Sequence, residues 1–428
     1  MRRFDQSQQY LERAERVIPL GSQTFSKSRT QYPYGVSPYF IARGEGSRVW
    51  DVDGNEYIDF VSSLCSITLG YNHPGVNAEV TKQLASGVIF SLPHPIEAEV
   101  AEAICDMVPC AEMVRFGKNG SDATSGAIRV ARAFTGRDHV AVCGYHGWQD
   151  WYIGATARNL GVPEATRELT HTFPYNDLPA LEKLLESQPR GFAAVILEPM
   201  NVTRPAPGYL EAVKALAHKH GALLVFDETI TGFRYANGGA QELFGVTPDL
   251  ATFGKGLANG FPVSAVAGRR DVMKLMEEVF FSFTFGGEAL SLAAARATMR
   301  TLREEPVVQT LAARGTQLME GLGTIIRDAK LDDVFAVQGH PSWNFLIMKD
   351  ARGANSFEIK TLWMQEMHQR GFLSVGTHNM SYAHSEQDVA ALLAAYREVL
   401  PFIGDVLQQG QLREALRCEP LVPLFKVR

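Results

Sequence analysis

The sequence predicts an α/β fold, with a mainly parallel central sheet in a large domain and a smaller α+β domain. A chain of 428 residues is too long for one simple core and favours two domains of unequal size. From about residue 75, helical segments alternate with short continuous apolar runs, a pattern typical of parallel strands that are covered on both faces. The runs occupy residues 113–116, 139–143, 193–198, 222–228, 250–253 and 263–268.

The two ends of the chain predict other elements. Residues 4–17 have the pattern of an amphipathic helix, and residues 42–63 alternate around a DG turn, which indicates an antiparallel hairpin outside the parallel sheet. Residues 288–330 predict one or two long helices, and strands and a further helix follow them. We therefore expect an N-terminal segment of helix and hairpin over residues 1–60 that packs with the small domain, a large domain over 61–305, and the small α+β domain over 306–428.

Composition argues against several classes of function. The chain is 46% apolar and 21% charged, and its net charge of −6 without a basic stripe gives no sign of nucleic-acid binding. No run of about 18 apolar residues predicts a membrane span, and the first residues lack the apolar core of a secretion signal. The five scattered cysteines form no CxxC pair, so we expect reduced thiols in a cytoplasmic protein and no metal site.

Reactive or glycine-rich residues follow four of the apolar runs. Phe116 precedes GKNGS, Cys143 precedes GYHG, and two other runs lead into Glu198 and Asp227. Ligands of parallel sheets bind at the carboxyl ends of the strands. The sequence therefore predicts a binding site at this edge of the sheet.

A lysine and an acid within residues 223–262 are the main candidates for chemistry. Lys255 lies between Gly254 and Gly256 and is followed by apolar residues. Desolvation in such surroundings lowers the pKa of a lysine and frees its amine to form a Schiff base, although an exposed loop lysine is the alternative. Asp227 ends a buried strand and needs a partner, which is either a protonated pyridine nitrogen or an arginine such as Arg234.

Two shorter motifs could hold a cofactor. In residues 117–134, glycines and a serine precede a helical pattern; Ser121 as N-cap would create an anion site there, and a plain helix cap is the alternative. In GYHGW, Tyr145 is placed to stack on a flat ring, against the alternative of a buried core tyrosine. We interpret His146 as a hydrogen-bonded structural histidine.

Taken together, the motifs resemble a known family. VRFGKNGSDAT, GYHG, LEP, FDETITGFR and FGKGLANGFP, in this order, resemble the class III aminotransferases that use pyridoxal 5′-phosphate (PLP), in particular the branch of glutamate-1-semialdehyde 2,1-aminomutase. The resemblance extends from about residue 18 to residue 400. It implies fold type I, the fold of aspartate aminotransferase, and a homodimer whose active sites lie at the subunit interface.

The resemblance also implies roles for individual residues. Lys255 would bind PLP as a Schiff base and then move a proton between Cα and C4′, and Asp227 would keep the pyridine nitrogen protonated. The other cofactor-binding positions that it implies are Gly120 and Ser121 at the phosphate, Tyr145 and Thr229 on the two faces of the ring, Thr284 reaching the phosphate of the neighbouring subunit, and Glu198 near the cofactor without an assigned role.

The chain departs from the family pattern mainly at the substrate end. Lys27 replaces the arginine that binds the substrate carboxylate in the aminomutase, and Leu64 replaces its pocket tryptophan. The phosphate turn carries Lys118 and Asn119 where the family has asparagine and serine, and Thr229 replaces a common valine. This pattern predicts PLP chemistry on a different substrate, for which the candidate substrate-reading residues are Lys27, Leu64, Trp148, Trp151 and His378.

Three functions remain open at this stage. The leading hypothesis is an aminotransferase that moves an amino group from a donor such as glutamate to an aldehyde or keto acceptor by a ping-pong mechanism via pyridoxamine phosphate. The alternative is a 2,1-aminomutase, an isomerase that retains its intermediate. A cofactor-free structural or binding protein is disfavoured because Lys255, Asp227 and Ser121 are all retained.

Overall fold

The computed structural model describes residues 2–423. In chain order the helices are α1 (Asp5–Glu15), α2 (Pro74–Ser86), α3 (Pro95–Met107), α4 (Gly120–Thr135), α5 (Asp150–Ile153), α6 (Glu164–Arg167), α7 (Leu178–Glu186), α8 (Tyr209–Lys219), α9 (Ala240–Phe244), α10 (Arg270–Met273), α11 (Ala289–Glu304), α12 (Val307–Asp328), α13 (Ser356–Gln369), α14 (Glu386–Gln408) and α15 (Leu412–Ala415).

The strands form three sheets. In chain order they are β1 (Ile41–Glu45), β2 (Arg48–Asp51), β3 (Glu56–Asp59), β4 (Met113–Gly117), β5 (His139–Cys143), β6 (Thr170–Thr172), β7 (Phe192–Leu197), β8 (Leu223–Asp227), β9 (Leu250–Phe253), β10 (Ser264–Gly268), β11 (Phe335–His340), β12 (Trp343–Met348), β13 (Phe372–Leu373) and β14 (Thr377–Asn379). The described chain divides into two compact units, one of residues 65–67 and 74–308 and the other of residues 2–64, 68–73 and 309–423.

A seven-stranded sheet in the order β4-β10-β9-β8-β7-β5-β6 forms the centre of the first unit. Strands β5 to β9 pair in parallel, and β10 runs antiparallel to both of its neighbours, so β4 has the same direction as the others. The six apolar runs are confirmed as strands. The short strand β6 was missed because its sequence THT forms no continuous apolar run.

Helices cover both faces of this sheet. Alternate residues of β5, β7 and β8 pack on one face against the small apolar residues of α4, including Ala127 and Val130. The residues between them pack on the other face against Leu181 of α7 and Val213 of α8. Each such side chain, when fully buried, contributes about 1.5–3 kcal/mol, so this two-sided core fixes the strand ends that carry the candidate site.

The second unit contains the two smaller sheets. Strands β1, β2 and β3 pair antiparallel and β13 pairs in parallel with β3, while β11, β12 and β14 form an antiparallel sheet. The predicted hairpin is confirmed: β2 and β3 are joined across the DG turn, in which Gly54 has φ 83. The Asp51 carboxylate stabilises this turn by accepting the backbone N–H groups of Asp53 and Asn55.

Two expectations from composition can be compared with the structure. The five cysteines are unpaired in the structure: Cys65 and Cys110 are buried, and the other three are partly buried. Among residues 2–423, no helix is both long and apolar enough to cross a membrane.

Candidate active site

The carboxyl edge of the seven-stranded sheet carries most of the predicted site residues. Asp227 is the last residue of β8, Glu198 follows β7, and Tyr145 lies in the turn after β5. Lys255 follows β9, and α4 begins shortly after β4. Because β4 to β9 share one direction, these chain ends all lie along the same edge, as the sequence predicts.

Asp227 is buried and has a different partner from the arginine considered above. Its Oδ2 lies 2.8 Å from Nδ1 of His146, and its Oδ1 accepts the backbone N–H of Thr229 and the hydroxyl of Thr252, both at 3.1 Å. Arg234 donates instead to the carbonyl oxygen of Cys65. Burial alone would raise the pKa of Asp227, but the hydrogen bonds and charge of His146 and the Thr229 bonds outweigh it, so the pKa lies below its ordinary value. Asp227 is therefore a carboxylate at neutral pH.

His146 contacts a hydrogen-bond acceptor at each ring nitrogen. Nδ1 faces the Asp227 carboxylate, and Nε2 lies 3.1 Å from the carbonyl oxygen of Cys143. A neutral imidazole has only one N–H donor, so both contacts are hydrogen bonds only when the ring is an imidazolium. His146 is confirmed as a hydrogen-bonded structural histidine, but the sequence did not reveal that its partner is Asp227, because the two residues come from different turns.

Glu228 directly follows Asp227, and its contacts explain why Asp227 is the candidate for cofactor binding and Glu228 is not. Its carboxylate accepts the backbone N–H groups of Ala240 and Gln241 at the start of α9 and the hydroxyl of Thr231. Burial raises the pKa of Glu228, and these hydrogen bonds oppose the increase. The two neighbouring acids have different roles: Glu228 stabilises the start of α9, and Asp227 pairs with His146 at the sheet edge.

The start of α4 differs in detail from the prediction. Asn119 is the N-cap, since its side chain accepts the N–H of Asp122 and the Asp122 carboxylate accepts the N–H of Asn119. The expectation that Ser121 is the N-cap is wrong, because Ser121 already lies within the helix. Lys118 donates to Glu288 at 3.0 Å and to the carbonyl oxygen of Pro262 at 3.1 Å. The two unusual residues of this turn therefore have structural partners.

Gly120, Thr229 and Gly254 form a narrow cradle at the helix start. A Cβ on Gly120 would lie 2.9 Å from Cγ2 of Thr229, and a Cβ on Gly254 would lie 3.3 Å from the same atom. The Thr229 hydroxyl is shielded from solvent, and the Thr229 side chain lies close enough to Asp227 to help lower the pKa of that carboxyl. The two glycines let the Thr229 side chain approach the helix start closely, and a helix N-terminus of this kind favours anions at its free N–H groups.

The GYHGW turn is held from both ends. Gly144 packs against Glu198, whose Oε2 accepts the N–H of Tyr145 at 3.1 Å. Gly147 packs against Ser121, whose hydroxyl accepts the N–H of Trp148 at 3.3 Å. Both glycines have positive φ angles, 106° and 104°, which other residues adopt only with strain.

The rings in this turn have different surroundings. Tyr145 is 41% exposed, so it is not the buried core tyrosine of the alternative interpretation. Its ring packs edge-to-face against Tyr152, with the two ring centroids 5.7 Å apart. Trp148 is exposed, whereas Trp151 is buried and donates to Ser125, so Trp151 is a core residue.

Lys255 begins a short 3₁₀ turn directly after β9. It is half-buried and has φ 43, while Gly254 and Gly256 on either side are buried. This placement disfavours the exposed-lysine alternative. A left-handed backbone at a residue other than glycine costs about 1–2 kcal/mol and is concentrated at functional sites.

The other candidates have varied environments. Thr284 is exposed, between Phe283 and Phe285, and its predicted contact with a neighbouring subunit stays a prediction. Lys27 is exposed and donates to Ser63 at 3.3 Å. His378 is fully buried between Asn344 and Tyr396, a structural role that its sequence context did not indicate.

Comparison with known proteins identifies the family. A family model described as aminotransferase class-III matches residues 31–375, most of the chain. The chain belongs to the class III aminotransferase family. It is a PLP-dependent enzyme with the type I fold, which confirms the resemblance, the fold class and the cofactor that were predicted.

Three relatives illustrate the range of activities in this family. The chain is 34% identical to 3-aminobutyryl-CoA aminotransferase of Cloacimonas acidaminovorans, over 94% of this chain and 98% of that protein. It is 37% identical to glutamate-1-semialdehyde 2,1-aminomutase of Roseiflexus castenholzii, over 90% of this chain and 98% of that protein. The solved structure of the PLP internal aldimine form of FumI from Sphingopyxis sp. MTA144 has a TM-score of 0.88 at 30% identity and covers 97% of this chain and 99% of that one. Transferases and isomerases thus both occur among similar proteins.

Proposed function

We propose that this enzyme is an aminotransferase that moves an amino group from an external donor, such as glutamate, to an aldehyde or keto acceptor. The observation that carries the proposal is the grouping of the Asp227–His146 pair, the Gly120 cradle and Lys255 at one sheet edge. The aminomutase's substrate-binding arginine and tryptophan are replaced by Lys27 and Leu64. Together these features favour PLP chemistry on a substrate other than glutamate-1-semialdehyde.

The residues at this edge fit PLP. The start of α4 at Gly120 and Ser121 suits a phosphate group, and Thr229, which packs against Gly120, suits one face of the ring. The exposed ring of Tyr145 suits stacking on a pyridine ring, and the buried carboxylate of Asp227 suits its nitrogen. Glu198 lies behind Tyr145 and fixes the backbone of that turn. When bound, PLP supplies an electron sink that stabilises the carbanion formed next to the substrate's amine.

The side chains of the protein perform the proton transfers and the positioning. Asp227 is charged because its pKa is lowered, so it holds a proton on the pyridine nitrogen. His146 fixes the orientation of that carboxylate. Lys255 would provide the amine that holds the cofactor, and the same amine would serve as the general acid and base for the substrate Cα proton.

A half-reaction should separate transamination from isomerisation. Mixed with a panel of amino donors in the absence of any acceptor, the enzyme should release about one equivalent of keto product per active site from at least one donor, for example 2-oxoglutarate from glutamate. Mass spectrometry of the quenched mixture measures this yield, and Lys255→Ala should give none. Isomerisation of glutamate-1-semialdehyde, with no keto product from any donor, would favour the aminomutase instead.

We also propose a homodimer with shared active sites, in the cytoplasm. Four large apolar residues on two chain segments, Leu92, Phe280, Phe283 and Phe285, are exposed, with Leu92 and Phe280 each 79% exposed; we call this mainly aromatic group the aromatic patch. The segments that carry it are joined by the hydrogen bond from the N–H of Ala289 to the carbonyl oxygen of Val88. Large exposed apolar patches mark interaction surfaces, and a second copy would cover this one while bringing its Thr284 to the phosphate of the first.

Charge within the aromatic patch should therefore separate the subunits. We expect Phe285→Asp to convert most of the dimer to monomer at micromolar concentration, because a desolvated carboxylate would face the apolar partner surface. Light scattering coupled to size-exclusion chromatography measures the change. Leu160→Asp is the matched control, since Leu160 is fully exposed outside the aromatic patch. An unchanged mass for Phe285→Asp would place the dimer interface elsewhere.

A further inference from the structure

A cavity lies beside the candidate active site, at the carboxyl ends of β5, β6 and β7. It has a volume of about 510 Å³, within the range of small-molecule sites. Four segments line it: residues 142–144, 152–157, 172–175 and 198–203. We name it the side cavity. Asp227, Thr229 and Lys255 are not among its lining residues, so it is separate from the cofactor end of the site.

Aromatic rings form much of the wall of the side cavity. Tyr152 and Phe173 are buried around it, and Tyr175 contributes a third ring. The Tyr152 hydroxyl donates to the carbonyl oxygen of Gly144 at 2.8 Å, and the Tyr175 hydroxyl donates to that of Pro199. These bonds fix both tyrosines to the backbone. With small apolar residues such as Ala155, Pro174 and Val202, these rings give the side cavity a mainly apolar wall, which suits a flat apolar body.

Asn201 gives the side cavity a specific polar requirement. Its Nδ2 donates to both carboxylate oxygens of Glu198, each at 3.0 Å, which fixes the orientation of the amide. Its Oδ1 is shielded from solvent and has no hydrogen-bond partner. A shielded acceptor of this kind is stabilised by an N–H or O–H donor.

The Glu198 carboxylate restricts the charge of the occupant. It is 8% exposed and lines the side cavity next to Asn201. A ligand carboxylate or phosphate placed there would meet a like charge at low dielectric, which is strongly unfavourable. The occupant should therefore be neutral or cationic at its polar end.

We propose that the side cavity binds a small molecule with a flat apolar body and one N–H or O–H donor that pairs with Asn201 Oδ1, as a primary aromatic amide does. Glu198 also accepts the N–H of Tyr145, so the occupant lies against the back of the turn that carries Tyr145 and His146. Lys255, Asp227 and the residues of the cradle do not line the side cavity, whereas Glu198, which supports the Tyr145 turn, lines it and connects it to the candidate active site.

Benzamide is a suitable probe for titration calorimetry with the PLP-loaded enzyme. Methyl benzoate has the same ring without a donor, and benzoate replaces the donor with a negative charge. We expect benzamide to bind at least about tenfold more tightly than either, and Asn201→Leu to remove that preference. Equal binding of the three probes, or an unchanged preference in Asn201→Leu, overturns the proposal.

A space-filling variant tests the location without relying on Asn201. Ala155→Trp should abolish benzamide binding because Ala155 lines the side cavity, whereas Ala133→Trp, on the exposed face of α4, should leave it unchanged. Both variants must first show cooperative thermal unfolding. Lys255→Ala should still bind benzamide, so a failure of the transaminase proposal would not affect this result. Full binding by a folded Ala155→Trp variant places the ligand elsewhere and overturns the proposal.

Discussion

Lys255→Ala is expected to reduce amino-group transfer by at least about 10³-fold while the protein still folds and dimerises. The physical reason is that one amine serves both as the covalent attachment point and as the proton carrier, and alanine can do neither. The backbone should tolerate the change, because lysine and alanine face similar strain at φ 43. Turnover of a donor–acceptor pair measures the loss, and borohydride followed by mass spectrometry should find no trapped cofactor at position 255.

Lys330→Ala provides a matched control for this experiment. Lys330 is also a lysine with a left-handed backbone, φ 54, but it is exposed and lies outside the sheet edge. Its replacement should leave turnover and cofactor trapping at the wild-type level. If Lys255→Ala retained a comparable rate, or if borohydride trapped the cofactor on another lysine, the chemistry proposed for Lys255 would be wrong.

An element of the fold could be predicted where its own residues form a distinctive sequence pattern, and was missed where they do not. Continuous apolar runs such as 193–198 and 222–228 have few alternatives to a buried strand, because every residue of β7 and β8 is buried. Strand β6 has only three residues, and its backbone pairing with β5 leaves no mark in the sequence. The DG turn was predicted because the positive φ of Gly54 makes glycine the favoured residue there.

The site was less predictable than the fold because its key contacts join distant residues. Asp227 and Lys255 stand out through unusual context, a charged group placed in buried or glycine-rich surroundings. The pairing of Asp227 with His146 depends on the spatial order of β5 and β8, which are separated by β7 in the sheet. The N-cap was misplaced by two residues because both Asn119 and Ser121 are good capping residues, and only the backbone angles distinguish them.

These contacts also change the interpretation of Asp227. As a buried acid it could have been part of a purely structural pair, and its partner His146 is indeed hydrogen-bonded within the fold. Yet the carboxylate is held at the sheet edge by three neighbours, and the strand order brings it next to the cradle of Gly120 and Thr229. These hydrogen bonds offset the cost of burying the Asp227 charge. They also keep the carboxyl ionised and fix its orientation, and a protonated pyridine nitrogen would require both.

Asp227→Asn should therefore have the second large effect on activity, a loss of at least about 10²-fold with weaker retention of PLP. The amide has the same shape but cannot balance a proton on the pyridine nitrogen, and it removes the charged acceptor that Nδ1 of His146 faces. Removing one partner of a buried hydrogen bond costs about 1–3 kcal/mol, and more where a charged group is involved. Glu228→Gln is the matched control: it neutralises the adjacent buried acid, which caps α9 and does not contact His146.

The pH dependence of unfolding distinguishes the charge of Asp227 from its shape. Because the pKa of Asp227 is lowered in the folded state, its stabilising contribution is fully present above the unfolded value of about 3.9. It is lost as the pH falls through the folded pKa. Wild-type protein should therefore lose free energy of unfolding below about pH 4, and the difference between it and Asp227→Asn should shrink over that range. A difference that stays constant with pH, together with full PLP retention by Asp227→Asn, would assign Asp227 a packing role only.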